Sequence, residues 1–193
     1  ATIFALSGKK TILIGGDLRK PKLHEDFKLN DKKGLSSYLI SKSTLSEIIE
    51  KTEVENLNVI GSGPTPPNPA ELLDSIKMRE LVFELNKKFD YVIIDGLRDF
   101  TDHAIVSLDQ ADRVAVVFSQ DVPAIRGAIK SMGLFRRLGY GASTMTLVMN
   151  RYKSADSTTL DAVEAALGAR IDWFLPEDFE TAHAALNTGQ LVV

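Results

Sequence analysis

The chain contains no cysteine, and among its 193 residues it has one tryptophan and three histidines. The absence of cysteine excludes disulfide frameworks, thiolate metal sites and cysteine nucleophiles. The histidines at 24, 103 and 183 lie far apart in the sequence and show no metal-ligand spacing. No apolar run approaches the roughly 18 residues that span a bilayer, and there is no secretory signal. We therefore expect a cytoplasmic protein.

The charge is nearly balanced, but the two halves differ in composition. Twenty-three basic and 26 acidic residues give a net charge of −3, which predicts no nucleic-acid partner. Residues 1–95 carry 12 Lys and 2 Arg, whereas residues 96–193 carry 2 Lys and 7 Arg, and Ala rises from 3 to 14. Local pattern is one explanation. The other is different ancestry of the two halves, joined near Asp95–Gly96 by recombination or engineering.

Apolar periodicity predicts strands that alternate with helices. Because the strands are nearly continuous apolar runs, they indicate a parallel sheet covered on both faces. We expect one α/β domain over residues 1–193, with a doubly wound, mostly parallel sheet and helices on both faces. The predicted strands are 10–15, 57–60, 91–94, 113–118, 144–149 and 171–174, and the predicted helices are 1–7, 35–40, 45–50, 70–88, 102–108, 123–138, 159–167 and 179–186.

Two aspartates follow apolar strands directly. Asp17 comes after the strand at 10–15, and Asp95 after the strand at 91–94. Ligands of such sheets bind beyond the carboxyl ends of the strands, where an aspartate is well placed to hold Mg²⁺ or to orient a nucleophile. The alternative for each is a helix-capping or turn aspartate. Arg19 and Lys20, next to Asp17, favour phosphate chemistry.

Four segments of the first half form a specific pattern: 12–21 (Ile-Leu-Ile-Gly-Gly-Asp-Leu-Arg-Lys-Pro), 34–39 (Gly-Leu-Ser-Ser-Tyr-Leu), 66–73 (Pro-Pro-Asn-Pro-Ala-Glu-Leu-Leu) and 89–95 (Phe-Asp-Tyr-Val-Ile-Ile-Asp). On these segments, residues 9–95 resemble the cytoplasmic domains of the bacterial tyrosine kinases of exopolysaccharide export. The resemblance implies ATP and Mg²⁺ as cofactors, with Asp17 assisting Mg²⁺ and the attacking hydroxyl and Asp95 in the Walker B strand. Gly15 replaces the first aspartate of the kinases' Asp-x-Asp pair, which weakens the predicted metal site.

After the Walker B aspartate the kinases usually continue Thr-Pro-Pro, whereas this chain has Gly96-Leu97-Arg98. From there the stretches 96–103, 119–126, 135–140, 148–152 and 186–189 are similar to the MinD/ParA class, and most closely to CpaE-like ATPases of pilus assembly. The resemblance implies that Asn150 bonds the adenine edge and that backbone from Pro176 to Asp178 lines the base pocket. Arg151 would steer phosphates or pair across a dimer, unless it is an ordinary surface arginine. Asn150 has the alternative role of a turn residue after a strand.

Both resemblances lead to the deviant Walker P-loop ATPase superfamily, yet the chain contains no Gly-x-x-x-x-Gly-Lys-Ser/Thr motif. The chain starts at Ala1 without a methionine, so we expect a fragment whose P-loop and first strand lie just before Ala1. We expect a gap or an exposed edge in the sheet, poor nucleotide binding and little catalysis.

Three functions remain open. The first is a tyrosine autokinase of exopolysaccharide biosynthesis, although the last tyrosine is Tyr152 and no C-terminal tyrosine cluster occurs. The second is an ATPase switch that positions pilus or division machinery. The third is a noncatalytic scaffold or an engineered chimera. We expect a homo-oligomer that binds ATP or ADP, peripheral at the inner membrane, with polysaccharide or pilus machinery as a protein partner.

Overall fold

A computed structural model describes residues 1–96, 109, 111–154, 160–181 and 184. The chain divides into two compact units, Ala1–Ala111 (unit 1) and Asp112–Val193 (unit 2). Neither unit contains, in the part of the chain described, a helix long and apolar enough to cross a membrane.

Unit 1 is a four-stranded sheet flanked by short helices. The strands are ordered β2-β3-β1-β4, and β1 pairs in parallel with both β3 and β4, whereas the two-residue β2 is antiparallel to β3. In chain order the elements are α1 (Thr2–Leu6), β1 (Thr11–Gly15), α2 (Leu23–Phe27), α3 (Leu35–Leu39), α4 (Leu45–Ile48), β2 (Glu50–Lys51), β3 (Leu57–Ile60), α5 (Pro69–Leu73), α6 (Ile76–Asn86) and β4 (Tyr91–Asp95).

Both faces of the unit 1 sheet carry a hydrophobic cluster, because alternate residues of β1 point to opposite sides. Ile12 and Ile14 lie in the larger cluster, together with side chains of α3 to α6. Leu13 lies in the smaller cluster, with Ala5 of α1. All five residues of β1 are buried. The continuous apolar run in β1 is therefore explained by burial on two sides, and the predicted α/β architecture is confirmed.

Unit 2 contains a three-stranded parallel sheet of order β5-β6-β7. Its elements are β5 (Val114–Ser119), α7 (Val122–Arg137), a 3₁₀ turn (Ala142–Thr144), β6 (Met145–Tyr152), α8 (Leu160–Leu167) and β7 (Trp173–Pro176). Alternate residues of β5 and β6 are buried on one face, among them Phe118 and Met149. The opposite face is more open, since Val117 is 58% and Trp173 65% exposed.

Within the described residues, β4 and β5 each pair with a neighbour on one side alone. Any open sheet has two edge strands, so this does not test the expected gap or exposed edge left by a missing first strand. Val117 of β5 and Tyr91 of β4 are exposed although both strands are apolar, a composition more typical of central strands than of edges.

Several predicted elements differ from the observed ones. The predicted helix 70–88 is two helices, because the Ser75 hydroxyl accepts the Met78 N–H at 3.2 Å and so begins α6 anew. The strand predicted at 171–174 is Trp173–Pro176. The sequence analysis missed the short α2 and the charged β2. The predicted helix 102–108 lies outside the described residues, and of the predicted helix 179–186 the residues 179–181 and 184 are described and helical.

Candidate functional site

In unit 1 the carboxyl ends of β1 and β4 lie side by side. Gly15 is in register with Asp95, and one residue further the Gly16 N–H donates to the Asp95 carbonyl oxygen at 2.7 Å. This bond carries the strand pairing beyond β1. It places the backbone of Asp17 next to that of Gly96, as the positions of the two aspartates in the sequence predicted.

Asp17 closes a turn with its own side chain. Its Oδ1 accepts the backbone N–H groups of Arg19 at 3.1 Å and Lys20 at 2.9 Å. This is the hydrogen bonding of a turn aspartate, so that alternative for Asp17 is confirmed. The same two bonds also hold the carboxylate in one orientation, which is compatible with metal binding. They therefore leave the metal role of Asp17 untested. The side chains of Arg19 and Lys20 are exposed at the same turn.

The contact between Gly96 and Asp17 is close. Gly96 has φ +88, and a Cβ at this position would lie 2.7 Å from the Asp17 Cβ. Asp95 itself is exposed at the end of β4. The kinase pattern has a threonine where this chain has Gly96, and no residue with a Cβ fits this backbone without displacing Asp17. The departure from that pattern is therefore part of the geometry of the site.

The loop after β3 bonds to the end of β1, just before the Asp17 turn. The sequence predicted no role for this loop. The Ser62 hydroxyl, at 3% exposed, donates to the Gly15 carbonyl oxygen at 3.0 Å. The neighbouring backbone accepts two bonds from α3: Leu35 N–H donates to Gly61 at 2.8 Å and Ser36 N–H to Ser62 at 3.0 Å. The sequence signal was a Gly-Ser-Gly run directly after the buried β3.

In unit 2, Asn150 and Arg151 lie at the end of β6. Asn150 is exposed and in register with Ser119, and its Oδ1 accepts the Arg151 N–H at 2.9 Å. Arg151 has φ +54, and the register with β7 shifts between Met149 and Tyr152. Asn150 therefore lies inside a bulged strand, and its amide oxygen makes a turn-type bond. The strand predicted at 144–149 therefore extends to Tyr152, and Asn150 is not a turn residue after the strand.

The end of β5 contributes two residues to which no role was assigned. Gln120 is 7% exposed, and its Oε1 accepts the Lys153 N–H at 2.9 Å. Asp121 begins α7 by accepting the Ala124 N–H at 2.9 Å. Hydrogen bonds from the Ser119 hydroxyl and the Ala124 N–H lower the pKa of Asp121, and the positive charge of Arg151 adds to them. Buried and charged groups thus tie the ends of β5 and β6 together.

The end of β7 completes this edge of unit 2. Pro176 pairs with Tyr152, Glu177 N–H donates to the Tyr152 carbonyl at 3.1 Å, and Glu177 forms an ion pair with Lys153. Asp178 Oδ1 accepts the Thr181 N–H at 2.9 Å. Hydrogen bonds from the Thr181 hydroxyl and N–H lower the pKa of Asp178.

The predicted site residues therefore form two groups. Asp17, Arg19 and Asp95 lie at the carboxyl edge of unit 1, and the structure brings Asn150, Arg151, Pro176 and Asp178 to the carboxyl edge of unit 2. No group of three or more His, Cys, Asp or Glu able to hold a metal occurs in the described part of the chain. Two carboxylates fit Mg²⁺, which usually completes its shell with water and substrate phosphates.

The tyrosine-kinase relatives match about half of this chain. The putative tyrosine-protein kinase CapB of Staphylococcus aureus is 47% identical over 95 residues, which are 49% of this chain and 42% of the relative. Tyrosine-protein kinase YwqD of Bacillus subtilis is 46% identical over 95 residues, again 49% of this chain and 40% of the relative. The chain thus spans less than half the length of these relatives. No protein-family model matches it.

Solved structures match more of the chain. The chimerical protein CapA2B2 has a TM-score of 0.67 at 32% identity, covering 76% of this chain and 66% of its own. The MinD protein of Pyrococcus horikoshii, complexed with Mg-ADP, has a TM-score of 0.77 at 18% identity, covering 99% and 78%. The second likeness concerns the fold alone. The chain therefore contains a segment homologous to bacterial tyrosine-protein kinases, and its fold is similar to that of MinD.

Proposed function

We propose that this chain is a nucleotide-binding part of a bacterial tyrosine-kinase-like ATPase of exopolysaccharide biosynthesis or export. The observation that carries the proposal is the junction of β1 and β4, where Gly16 bonds to Asp95 and Gly96 packs on Asp17. It places both aspartates at the edge where parallel α/β sheets bind their ligands. The identity to CapB and YwqD supports the kinase assignment over other members of the superfamily.

In this proposal Asp17 and Asp95 hold Mg²⁺ and orient the attacking hydroxyl or water. Bound Mg²⁺ neutralises phosphate charge and favours in-line transfer. The two N–H bonds to Asp17 Oδ1 keep its carboxylate in one orientation, so less ordering is required when the cation binds. Arg19, exposed at the same turn, attracts the phosphates.

For the second group we propose recognition of adenine. Asn150 presents its amide to the base edge, and backbone from Pro176 to Asp178 lines the pocket. Contacts between the strand ends support this role. Lys153 forms an ion pair with Glu177, and its N–H donates to Gln120. These contacts fix the loops that would face the base. The backbone of Arg151 is in the left-handed region, so the chain departs from regular strand geometry at this residue.

The proposal is tested by titrating the chain with a fluorescent ATP analogue and Mg²⁺. Because these 193 residues contain no phosphate-cradling loop, we expect Kd values weaker than micromolar and a further loss in Asp17→Ala and Asp95→Ala. Asp112→Ala, an exposed aspartate outside both groups, is the matched control. Binding unchanged in both site variants contradicts the metal assignment, and micromolar binding by the chain contradicts the role given to the absent loop.

A second candidate is an ATPase switch of the MinD/ParA or CpaE type that positions pilus or division machinery. It is supported by the 99% coverage in the MinD likeness, against 49% in the kinase relatives. Phosphotyrosine on the parent protein incubated with Mg-ATP favours the kinase. ATP-dependent dimerisation without phosphotyrosine favours the switch. If neither phosphotyrosine nor ATP-dependent dimerisation is found, and no nucleotide binds, the third alternative is favoured: a noncatalytic scaffold or an engineered chimera.

For location and partners we propose a cytoplasmic homo-oligomer, peripheral at the inner membrane, that works with polysaccharide or pilus machinery. This proposal follows the two resemblances found in the sequence, to exopolysaccharide kinases over residues 9–95 and to pilus-assembly ATPases over residues 96–193. Cell fractionation of the parent protein, with and without a high-salt wash, tests peripheral attachment.

A further inference from the structure

We propose that Ser62 is a positioning residue for Asp17, and that the backbone of the segments Gly34–Leu39 and Gly61–Pro64 holds Ser62 in place rather than forming a ligand surface. The proposal rests on the metal role given to Asp17 above. It assigns a purpose to two sequence motifs that the nucleotide-binding proposal leaves without one.

The Ser62 hydroxyl extends from the loop after β3 to the end of β1, which leads into the Asp17 turn. It donates to the Gly15 carbonyl oxygen at 3.0 Å and is 3% exposed. A Cβ at Gly15 would lie 2.7 Å from Ser62 Oγ, so the hydroxyl occupies the space beside the strand end. Because Gly15 is two residues before Asp17, this bond fixes the point at which β1 enters the turn.

Ser62 is itself held by α3. The N–H groups of Leu35 and Ser36 donate to the carbonyls of Gly61 and Ser62 at 2.8 and 3.0 Å. The fit is tight, since a Cβ at Gly34 would lie 2.4 Å from the Gly61 oxygen. The loop that carries Ser62 therefore has little freedom to follow a displaced Gly15.

Gly96 limits Asp17 from the other side. Its backbone leaves no room for a Cβ toward Asp17, so the turn lies between the Ser62 bond and the Gly96 contact. Removing the Ser62 bond leaves the restraints on the β4 side, which are the Gly96 contact and the Gly16 N–H bond to the Asp95 carbonyl. We expect the turn to become looser. The N–H groups of Arg19 and Lys20, which bond to Asp17 Oδ1, should then exchange their hydrogens faster.

Ser36 provides a matched control. It is 2% exposed, and its hydroxyl donates to the Pro64 carbonyl at 2.7 Å in the same loop, without contacting Gly15. Ser36→Ala and Ser62→Ala each remove one buried hydroxyl bond and leave a carbonyl acceptor, so their global costs are comparable. Only Ser62→Ala removes the restraint on the Asp17 turn.

The first test measures hydrogen exchange of the Lys20 amide by NMR in the 193-residue chain. We expect at least about 10-fold faster exchange in Ser62→Ala and no comparable change in Ser36→Ala. Ser62→Thr, which keeps the hydroxyl, restores the protection. Equal exchange of Lys20 in the two alanine variants overturns the positioning role, and this reading needs no metal.

The second test measures Mn²⁺ affinity by electron paramagnetic resonance. Loss of a residue that orients a metal ligand typically weakens binding 10- to 100-fold, so we expect about 10-fold for Ser62→Ala and little change for Ser36→Ala. Asp17→Asn marks complete loss of the ligand. If Asp17→Asn leaves Mn²⁺ binding intact, the metal role of Asp17 is wrong. If Asp17→Asn abolishes binding while the two serine variants are equal, the role of Ser62 is wrong.

Discussion

Gly96 packs directly against Asp17, and both the conformation of Gly96 and the space around it require glycine. Its φ is +88, in the left-handed region, and a Cβ there would lie 2.7 Å from the Asp17 Cβ and 2.9 Å from the Asp17 nitrogen. Since Gly96 directly follows Asp95, a glycine at this position is required for the approach of the two strand ends that carry the aspartates.

Gly96→Ala is expected to lower the free energy of unfolding by about 2–3 kcal/mol. About 1–2 kcal/mol comes from a Cβ in the left-handed region, and the remainder from the contact with Asp17 backbone. Gly8→Ala is the control, since Gly8 has φ +82 and no atom within 4 Å of the added carbon; it should cost about 1 kcal/mol. Urea denaturation followed by circular dichroism measures both, and equal losses would contradict the packing argument.

Glu47 has a strongly lowered pKa, which predicts a pH dependence. Hydrogen bonds from Lys33 and from the Thr44 N–H and hydroxyl lower its pKa from 4.5 to about 2; the Lys33 bond is 2.7 Å long. Because the folded pKa is the lower one, the unfolded chain binds the proton first as the pH falls. The stability from this group is thus present above pH 4.5 and is lost between pH 4.5 and about 2.

An NMR titration of the Glu47 carboxyl tests this directly. The parent chain should titrate near pH 2, and Lys33→Met should raise the midpoint toward 4.5 because the largest cause is removed. Lys32→Met removes a neighbouring charge but leaves the Lys33–Glu47 pair. If both variants shift the midpoint equally, general charge rather than the hydrogen bond is responsible.

The fold was predictable from the sequence where burial alone decides it. The buried run in β1 and the helix that begins beside Pro123 were both predicted, since apolar periodicity and proline at a first turn are local signals. The strand β2 was missed because Glu50 and Lys51 are charged, and its pairing with β3 depends on the turn between them. The break at Ser75 was missed because a single capping hydroxyl interrupts an otherwise continuous helical pattern.

The candidate site was predictable to a lesser degree. Asp17 and Asp95 were found because each follows an apolar strand. Ser62, Gln120 and the contact made by Gly96 were not assigned, because each acts through residues distant in the sequence: Ser62 bonds to Gly15 and Gln120 to Lys153. Local patterns identify which residues end the strands, but the register between strands decides which of these ends support one another.

Asp121 is expected to stabilise α7 as its N-terminal cap. It accepts the Ala124 N–H at 2.9 Å, a bond that alanine cannot make. Asp121→Ala should therefore lower the stability of unit 2, while Asp121→Ser should retain most of it. Hydrogen exchange of the Ala124 amide gives a local measure. Unchanged protection in Asp121→Ala would show that the cap contributes nothing.

The two faces of β5 predict opposite effects for neighbouring substitutions. Val116 is 8% exposed and Val117 is 58% exposed. Val116→Lys would place an ammonium group in the core and should cost more than about 3 kcal/mol. Val117→Lys should change stability by less than about 0.5 kcal/mol, and a lysine on this strand should reduce self-association.

Urea denaturation and size-exclusion chromatography of both β5 variants measure these effects. Val117→Thr, which keeps the branched shape without a charge, separates the effect of lost apolar surface from that of the added charge. If Val117→Lys destabilises the chain as much as Val116→Lys, the second face of the unit 2 sheet is covered in solution. The apolar pattern of β5 would then reflect burial on both sides, as the continuous run Val114–Phe118 in the sequence predicts for a parallel sheet.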